Sequence, residues 1–454
     1  MPKKEIKKGA GSSCSSSESV KERTYALDIT EKDDGKEVLV KGWIHEVRDL
    51  GKLKFLIIRD VSGIIQLVAH KEKTDKKLFD ELCKVYREAC VEVTGKVKAS
   101  KQAVGGREIV PEKFAIIANA EPVLPIDTSD FSKTDIAKRL DYRFLDTRRK
   151  SISPIFKIRS KIVKNLVGFF DSNKFININT PKLTRLGLES GAELFQVMYF
   201  GKPAFLAQSP QLYKQMFVAG GFERVYEIGP VFRAEKSHTT RHMTEFTGVD
   251  FEMGFIKDEN DVMDMVENML KCLIENIKNE CKEELKILNV ELKVPEKIPR
   301  IDIQEIRKML AKEGKKLKED DDLDSEAEEM IGKIVLDKYK SEFVFATNYP
   351  AAKRPFYHMR PENDKKGTRS FDLIWKGVEI ATGAQREHRF DVLEKQAKEK
   401  GIKLDPVYAE IFKYGCPPHG GVGFGLDRIT QRMLNLENVR EAILLPRDPE
   451  RITP

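Results

Sequence analysis

No CxxC pair occurs in this sequence, and its 6 cysteines (Cys14, Cys83, Cys90, Cys272, Cys281 and Cys416) are scattered. That argues against a cysteine-based zinc site and a disulfide framework, and it fits a reducing compartment. Long apolar runs are also missing. The longest, around residues 114–120, fall far short of the roughly 18 residues a bilayer span needs. The first residues are Lys-rich and then Ser/Gly-rich with no hydrophobic segment behind them, so no secretory signal is expected and the expected location is the cytoplasm. No GxxxxGK[ST] phosphate loop is present, and Gly421, Gly423 and Gly425 lack the third glycine at dinucleotide spacing. A nucleotide would have to be held by scattered arginines and carboxylates.

The length of 454 residues allows two to four domains at roughly 100–200 residues each. Charge is abundant but nearly balanced, with 80 Lys+Arg against 73 Asp+Glu. Its placement is more informative than its total: residues 51–120 hold 14 Lys/Arg against 9 Asp/Glu, a surplus that could track phosphates. Residues 1–24 form a low-complexity tail expected to be disordered. From 25 to 120, short alternating segments read as five strands (EVLVKGWIHEV, FLIIRD, IIQLVAH, CVEVTGKV, EIVPEKFAII), with a hairpin turn at Asp60–Gly63 and a helix KKLFDELCKVYREA after the third. Five strands with that helix match an OB-type barrel, a fold that binds single-stranded nucleic acid on one sheet face.

Residues 121–150, with two prolines and then dense charge, read as a linker. The rest, 151–454, alternates helices and strands, with a helical insertion near 256–340. Helices are expected at 154–172 and 261–277, the methionines of the latter as core. The acidic run Glu319–Glu329 reads as a solvated helix start. The expected class is α+β: an N-terminal barrel followed by a domain built on an antiparallel sheet flanked by helices.

Three segments carry chemistry. In 231–253, Arg233 and Glu235 lie two apart at a strand end and share a face; Arg241 and His242 then precede Phe246, a phosphate clamp beside a ring able to stack on a base. In 370–391, Asp372 and Glu379 are hard oxygen donors and Arg386 follows. In 420–429, glycines allow close backbone approach before Arg428.

FRAE followed by RHMTEF, and GVGFGLDR, resemble motifs 2 and 3 of class II aminoacyl-tRNA synthetases; FININTPKL, ending at Pro181, resembles motif 1. An OB-type domain ahead of such a core is the arrangement of the subgroup for aspartate, asparagine and lysine. ESGAELF, AQSPQLYKQ, GAQREHR and LLPRDPERITP are similar to aspartyl-tRNA synthetases of the archaeal and eukaryotic type. Asparaginyl enzymes typically carry QRED where this chain has Gln385-Arg386-Glu387-His388.

The resemblance implies an aspartate–tRNA ligase, dimeric through the 154–181 helix and strand, that uses ATP, Mg2+, L-aspartate and tRNA-Asp. It implies ATP contacts from Arg233, Glu235, Arg241, His242, Phe246, Glu379 and Arg428, with Arg233, Arg428 and Glu379 catalytic. Aspartate would meet Glu189, Gln211, Lys214, Arg233, Asp250, Thr382 and Arg386. Mg2+ would meet Asp372, Glu379 and Thr382. Anticodon bases would meet His45, Arg48, Phe55, Gln66 and Glu108, and His45 leaves tRNA-Asn open as a second acceptor. Asp427 departs from the Glu of many archaeal and eukaryotic relatives. An asparaginyl enzyme and a non-catalytic tRNA-binding paralogue remain alternatives, the second disfavoured because Arg233, Glu379, Arg386 and Arg428 are all present.

Overall fold

The structure is a computed structural model that describes residues 22–130, 133–185, 194–236, 239–318, 320–364 and 366–454. The expected tail falls almost wholly outside them. The chain divides into two compact units, Met1–Pro125 and Ile126–Pro454.

In the first unit, β1 (Glu37–Asp49), β2 (Leu53–Arg59), β3 (Ile64–His70), β4 (Cys90–Ala99) and β5 (Arg107–Ala118) close a barrel in the order β1-β2-β3-β5-β4. Alternation sends Leu56, Ile58, Ile65, Leu67, Val91 and Val93 into its core. The helix Lys76–Leu82 is capped by Asp75, which accepts the N–H groups of Lys77 and Leu78. It ends earlier than the apolar spacing predicts. The reason is strand pairing: the N–H of Glu88 donates to the Ile44 carbonyl at 2.6 Å, and the N–H of Ile44 to the Ala89 carbonyl at 2.9 Å.

Among the described residues of the second unit, the strands are β6 (Ile176–Asn177), β7 (Leu183–Thr184), β8 (Gln196–Tyr199), β9 (Lys202–Leu206), β10 (Arg224–Phe232), β11 (Glu245–Gly254), β12 (Arg300–Asp302), β13 (Phe343–Thr347), β14 (Ser370–Trp375), β15 (Val378–Arg386) and β16 (His419–Gly425). Eight of them form one sheet, ordered β12-β13-β14-β15-β16-β11-β10-β6, antiparallel except at its two outer pairs. The helix Ser153–Ser172 opens with a proline and lays Ile155, Ile158, Ile162, Leu166 and Phe170 on the sheet. Each such burial is worth roughly 1.5–3 kcal/mol. The helix Glu259–Glu280 packs against the same core, with Met269 buried as its pattern predicts, Met263 buried as well and Met265 only partly so.

Much of the 121–150 linker is built into the second unit: buried Arg143 donates to the carbonyls of Glu441 and Ile443 at 2.9 and 3.1 Å. Residues 256–340 supply a core helix and the edge strand β12. Both placements depend on contacts remote in sequence, which local composition does not encode. Among the described residues, no helix is long and apolar enough to cross a membrane.

Candidate active site

The three central strands β15, β16 and β11 build the site. Antiparallel register sets Asp250 opposite Gly423 and Glu252 opposite Gly421. A Cβ at Gly421 would meet the Phe251 carbonyl oxygen at 2.1 Å and Glu252 Oε2 at 2.3 Å; one at Gly423 would meet Asp250 Oδ1 at 2.9 Å. The glycines of β16 therefore make room for two carboxylates of β11.

Glu252 is fully buried and takes Arg386 with both oxygens: Nε donates at 2.9 Å and Nη2 at 3.2 Å. Burial raises the Glu252 carboxyl, but Arg386 and then Lys214 outweigh it and hold it below the usual range. The remaining Arg386 nitrogen, Nη1, lies 3.1 Å from His358 Nε2. Arginine cannot accept, so Nε2 is the acceptor. Burial and then the Arg386 charge hold His358 well below its usual range, hence neutral. Lys214, on the helix Gln211–Phe217, donates to Asp250 Oδ1 at 2.9 Å and to the Val422 carbonyl at 3.2 Å.

The nucleotide half adjoins it. Phe246 on β11 pairs across from Val231, and the Arg233 guanidinium lies 5.6 Å from its ring centre. His242 accepts or donates through Nδ1 to Thr239 Oγ1 at 2.5 Å, and its Nε2 is 3.7 Å from Glu235. Burial and then Arg428 lower its pKa. Arg428 donates from Nη1 to the Glu379 carbonyl at 2.9 Å and from Nε to the Arg241 carbonyl at 3.2 Å. Arg241 itself is held by Glu328 at 3.2 Å and Glu329 at 2.8 Å.

The donors fit Mg2+, which binds through one or two carboxylates with phosphate and water. Thr382 Oγ1 donates to Glu379 Oε1 at 3.0 Å, and burial and then Asp372 raise the Glu379 carboxyl, so a cation there would relieve both. Asp372 lies across the strand pair from Thr382, but Arg354 takes both its oxygens, at 3.1 and 2.5 Å. Among the described residues no cluster of three or more His, Cys, Asp or Glu is arranged for a metal.

One cleft of about 290 Å³ brings together Gln211, Arg233, Glu235, Arg241, His242, Phe246, Asp250, Glu379, Thr382, Arg386 and Arg428. Lys214 and Asp372 stand behind its lining, and Glu189 lies outside the described residues. Asp427 accepts from Arg159 at 2.7 Å and from the Thr247 N–H at 3.0 Å, tying motif 3 to the helix Ser153–Ser172 and to β11. Sequence reasoning missed Glu252, His358, Arg354 and Glu328. Only Glu252 had a legible signal: it stands two residues from Asp250, on the same strand face.

On the barrel, Phe55 is half-buried outside the core, and the register sets it beside Arg48. Gln66 donates to Glu108 at 3.3 Å, and His45 Nδ1 lies 3.0 Å from Arg59. The register thus sets Arg48 beside Phe55 and Gln66 beside Glu108, while His45 sits at a bulge in β1.

Residues 135–449 match the family described as tRNA synthetases class II (D, K and N), and residues 38–117 match the OB-fold nucleic acid binding domain. The fold and cleft are those of a class II tRNA synthetase. The Thermococcus kodakarensis aspartate–tRNA(Asp) ligase is 45% identical over 95% of this chain and 99% of its own. The Methanopyrus kandleri aspartate–tRNA(Asp/Asn) ligase is 43% identical with the same coverage. Among solved structures, asparaginyl-tRNA synthetase from Pyrococcus horikoshii, complexed with asparaginyl-adenylate, superposes with TM-score 0.89 at 30% identity over 96% of this chain and 100% of that one. Aspartyl-tRNA synthetase from Entamoeba histolytica gives 0.86 at 32% identity, over 95% and 93%. The chain belongs to the aspartate–tRNA ligase family of archaeal type.

Proposed function

We propose that this protein activates L-aspartate with ATP and Mg2+ to aspartyl-AMP and pyrophosphate, then transfers the aspartyl group to the 3′-terminal adenosine of tRNA-Asp. The observation that carries the reading is Arg386, buried, gripped by Glu252, and lining the cleft that also holds Arg233, Phe246, Glu379 and Arg428. A substrate side-chain carboxylate gains charge-assisted bonds from the Arg386 Nη N–H groups that Glu252 and His358 leave over, with Lys214 adding positive charge from behind Asp250. An asparagine amide offers one acceptor oxygen where the carboxylate offers two and carries no negative charge, so it gains weaker bonds from the same guanidinium.

Gln211 and Asp250 receive the substrate ammonium, a duty the family resemblance also gives to Glu189. Arg233 spans the α-carboxylate and the α-phosphate, Phe246 stacks on adenine with Glu235 and His242 beside it, and Arg428 and Arg241 meet the outer phosphates. The α-carboxylate is already ionised at pH 7, so it attacks the α-phosphate in line without a general base. Rate then comes from alignment and from the fixed positive charge of Arg233 and Arg428. Glu379 and Thr382, with Asp372 beside them, would hold Mg2+, which would supply charge neutralisation for the departing pyrophosphate.

On the barrel face, Phe55 stacks an anticodon base while Arg48, Gln66 and Glu108 read its neighbours. Acceptance of tRNA-Asn as well turns on the surroundings of His45. Exposed Val167 and Ile176 on the motif 1 segment support a homodimer. Charging of purified tRNA-Asp and tRNA-Asn with labelled aspartate tests the reading. Attachment to tRNA-Asp is expected, and attachment to neither tRNA would overturn it.

A further inference from the structure

Arg241, Arg428 and Glu379 are joined in a closed ring of hydrogen bonds by a fourth residue that lies far from all the synthetase motifs. Glu328 Oε2 accepts from Arg241 Nη1 at 3.2 Å and from the backbone N–H of Glu379 at 2.8 Å. The Arg241 carbonyl accepts from Arg428, and Arg428 donates in turn to the Glu379 carbonyl. Glu328 comes from the helix Ser325–Tyr339 and is the member of the ring that neither the cleft lining nor the motifs contain.

That helix is registered tightly. Ala327, Ile331 and Val335 bury its inner face. A Cβ at Gly332 would meet the backbone N of Gly377 at 2.6 Å and its Cα at 2.7 Å, so helix and β14–β15 turn touch backbone to backbone. The Gly377 backbone has φ 73°, a left-handed conformation that glycine adopts without strain. One helical turn before this contact, the Glu328 side chain is only 12% exposed, whereas its neighbour Glu329 is 60% exposed. A carboxylate buried in this way keeps its place through its partners.

We propose that Glu328 is a positioning residue for the nucleotide: it holds the Arg241 guanidinium and the Glu379 backbone in the arrangement that the triphosphate meets. This inference rests on the ATP-dependent reading above. Glu328 does not touch substrate in this account; it acts through Arg241 and Glu379.

The test is steady-state pyrophosphate exchange on the full-length protein, with Glu328→Ala, the near-isosteric Glu328→Gln, Arg241→Ala and the double variant Arg241→Ala/Glu328→Ala. Mg·ATP affinity is measured in parallel by calorimetric titration. Expected for Glu328→Ala is a loss of ATP affinity of about tenfold or more, the scale of a charge-assisted hydrogen bond, with the KM for aspartate within about twofold of the parent. Glu328→Gln, which keeps one acceptor oxygen and the fold, should fall between. The double variant should lose less than the product of the single losses, because one mutation removes what the other acts through. Multiplicative losses, an unchanged ATP affinity, or equal loss toward aspartate and ATP would overturn the proposal. Absence of aspartate-dependent exchange in the parent would instead overturn the function, while the ATP titration still reads Glu328.

Discussion

Glu252 holds Arg386 with both carboxylate oxygens, at 2.9 and 3.2 Å, and neither residue is more than 2% exposed. Arg386 is therefore oriented before any substrate arrives, with one edge of its fork spent on the protein and Nη1 left beside His358. Preorganisation of this kind spares the substrate the cost of ordering the arginine.

Arg386→Ala removes the cation and leaves Glu252 buried with Lys214 at 3.5 Å as its remaining charged neighbour. Breaking such a pair costs the fold roughly 3–5 kcal/mol, and loss of the bonds to the substrate carboxylate, each worth about 1.5–3 kcal/mol, should cut aspartate-dependent exchange by about a hundredfold or more. Binding of tRNA, measured by filter retention, should be largely retained. Persistent aspartate activation would show that the specificity role lies elsewhere.

Gly421→Ala tests the same pair from the neighbouring strand. Its Cβ would press on the Phe251 carbonyl and on Glu252. Overpacking of this sort costs about 1–3 kcal/mol, and the displaced Glu252 should raise the KM for aspartate more than that for ATP. Thermal melts and the two KM values check this. A variant with unchanged KM for aspartate would mean that Glu252 does not position Arg386.

These residues also show where sequence stops being informative. The barrel was legible because period-two alternation survives in β3 and β4, and Arg233, Phe246 and Arg428 because the motifs carry them in short, spaced runs. Glu328 was read as solvated because an acidic run at a helix start ordinarily is; its burial comes from a glycine contact near residue 377, invisible to local pattern. His358 reaches Arg386 from 28 residues away, and Arg143 reaches Ile443 from 300. The glycines of 420–425 were read as granting close backbone approach before Arg428, and at Gly421 and Gly423 they also admit the carboxylates of the adjacent strand.

Acid should weaken the fold in a set order. His358 has a pKa depressed by burial and then by Arg386, so the folded state resists a proton the unfolded chain accepts. Its contribution is present above the unfolded histidine value near 6.5 and is lost as pH falls below it. Glu252, also depressed, adds a second loss as pH falls below the ordinary glutamate range. Melting temperature should therefore decline from pH 7 to pH 5 and further toward pH 4. In His358→Gln the first part of that decline should be shallower, and an identical profile would contradict the assignment.

Phe55→Ala addresses the barrel alone. Loss of one base–aromatic stack, worth about 1–3 kcal/mol, should weaken tRNA binding roughly 5- to 150-fold. Pyrophosphate exchange, which needs no tRNA in this account, should be unchanged. A drop in exchange, or intact tRNA affinity, would count against the anticodon role of this face.

The most direct measurement is ATP–pyrophosphate exchange by the purified protein with aspartate or asparagine as the sole amino acid. The buried Arg386–Glu252 pair predicts exchange driven by aspartate and none above background with asparagine. Exchange driven by asparagine alone would contradict the account.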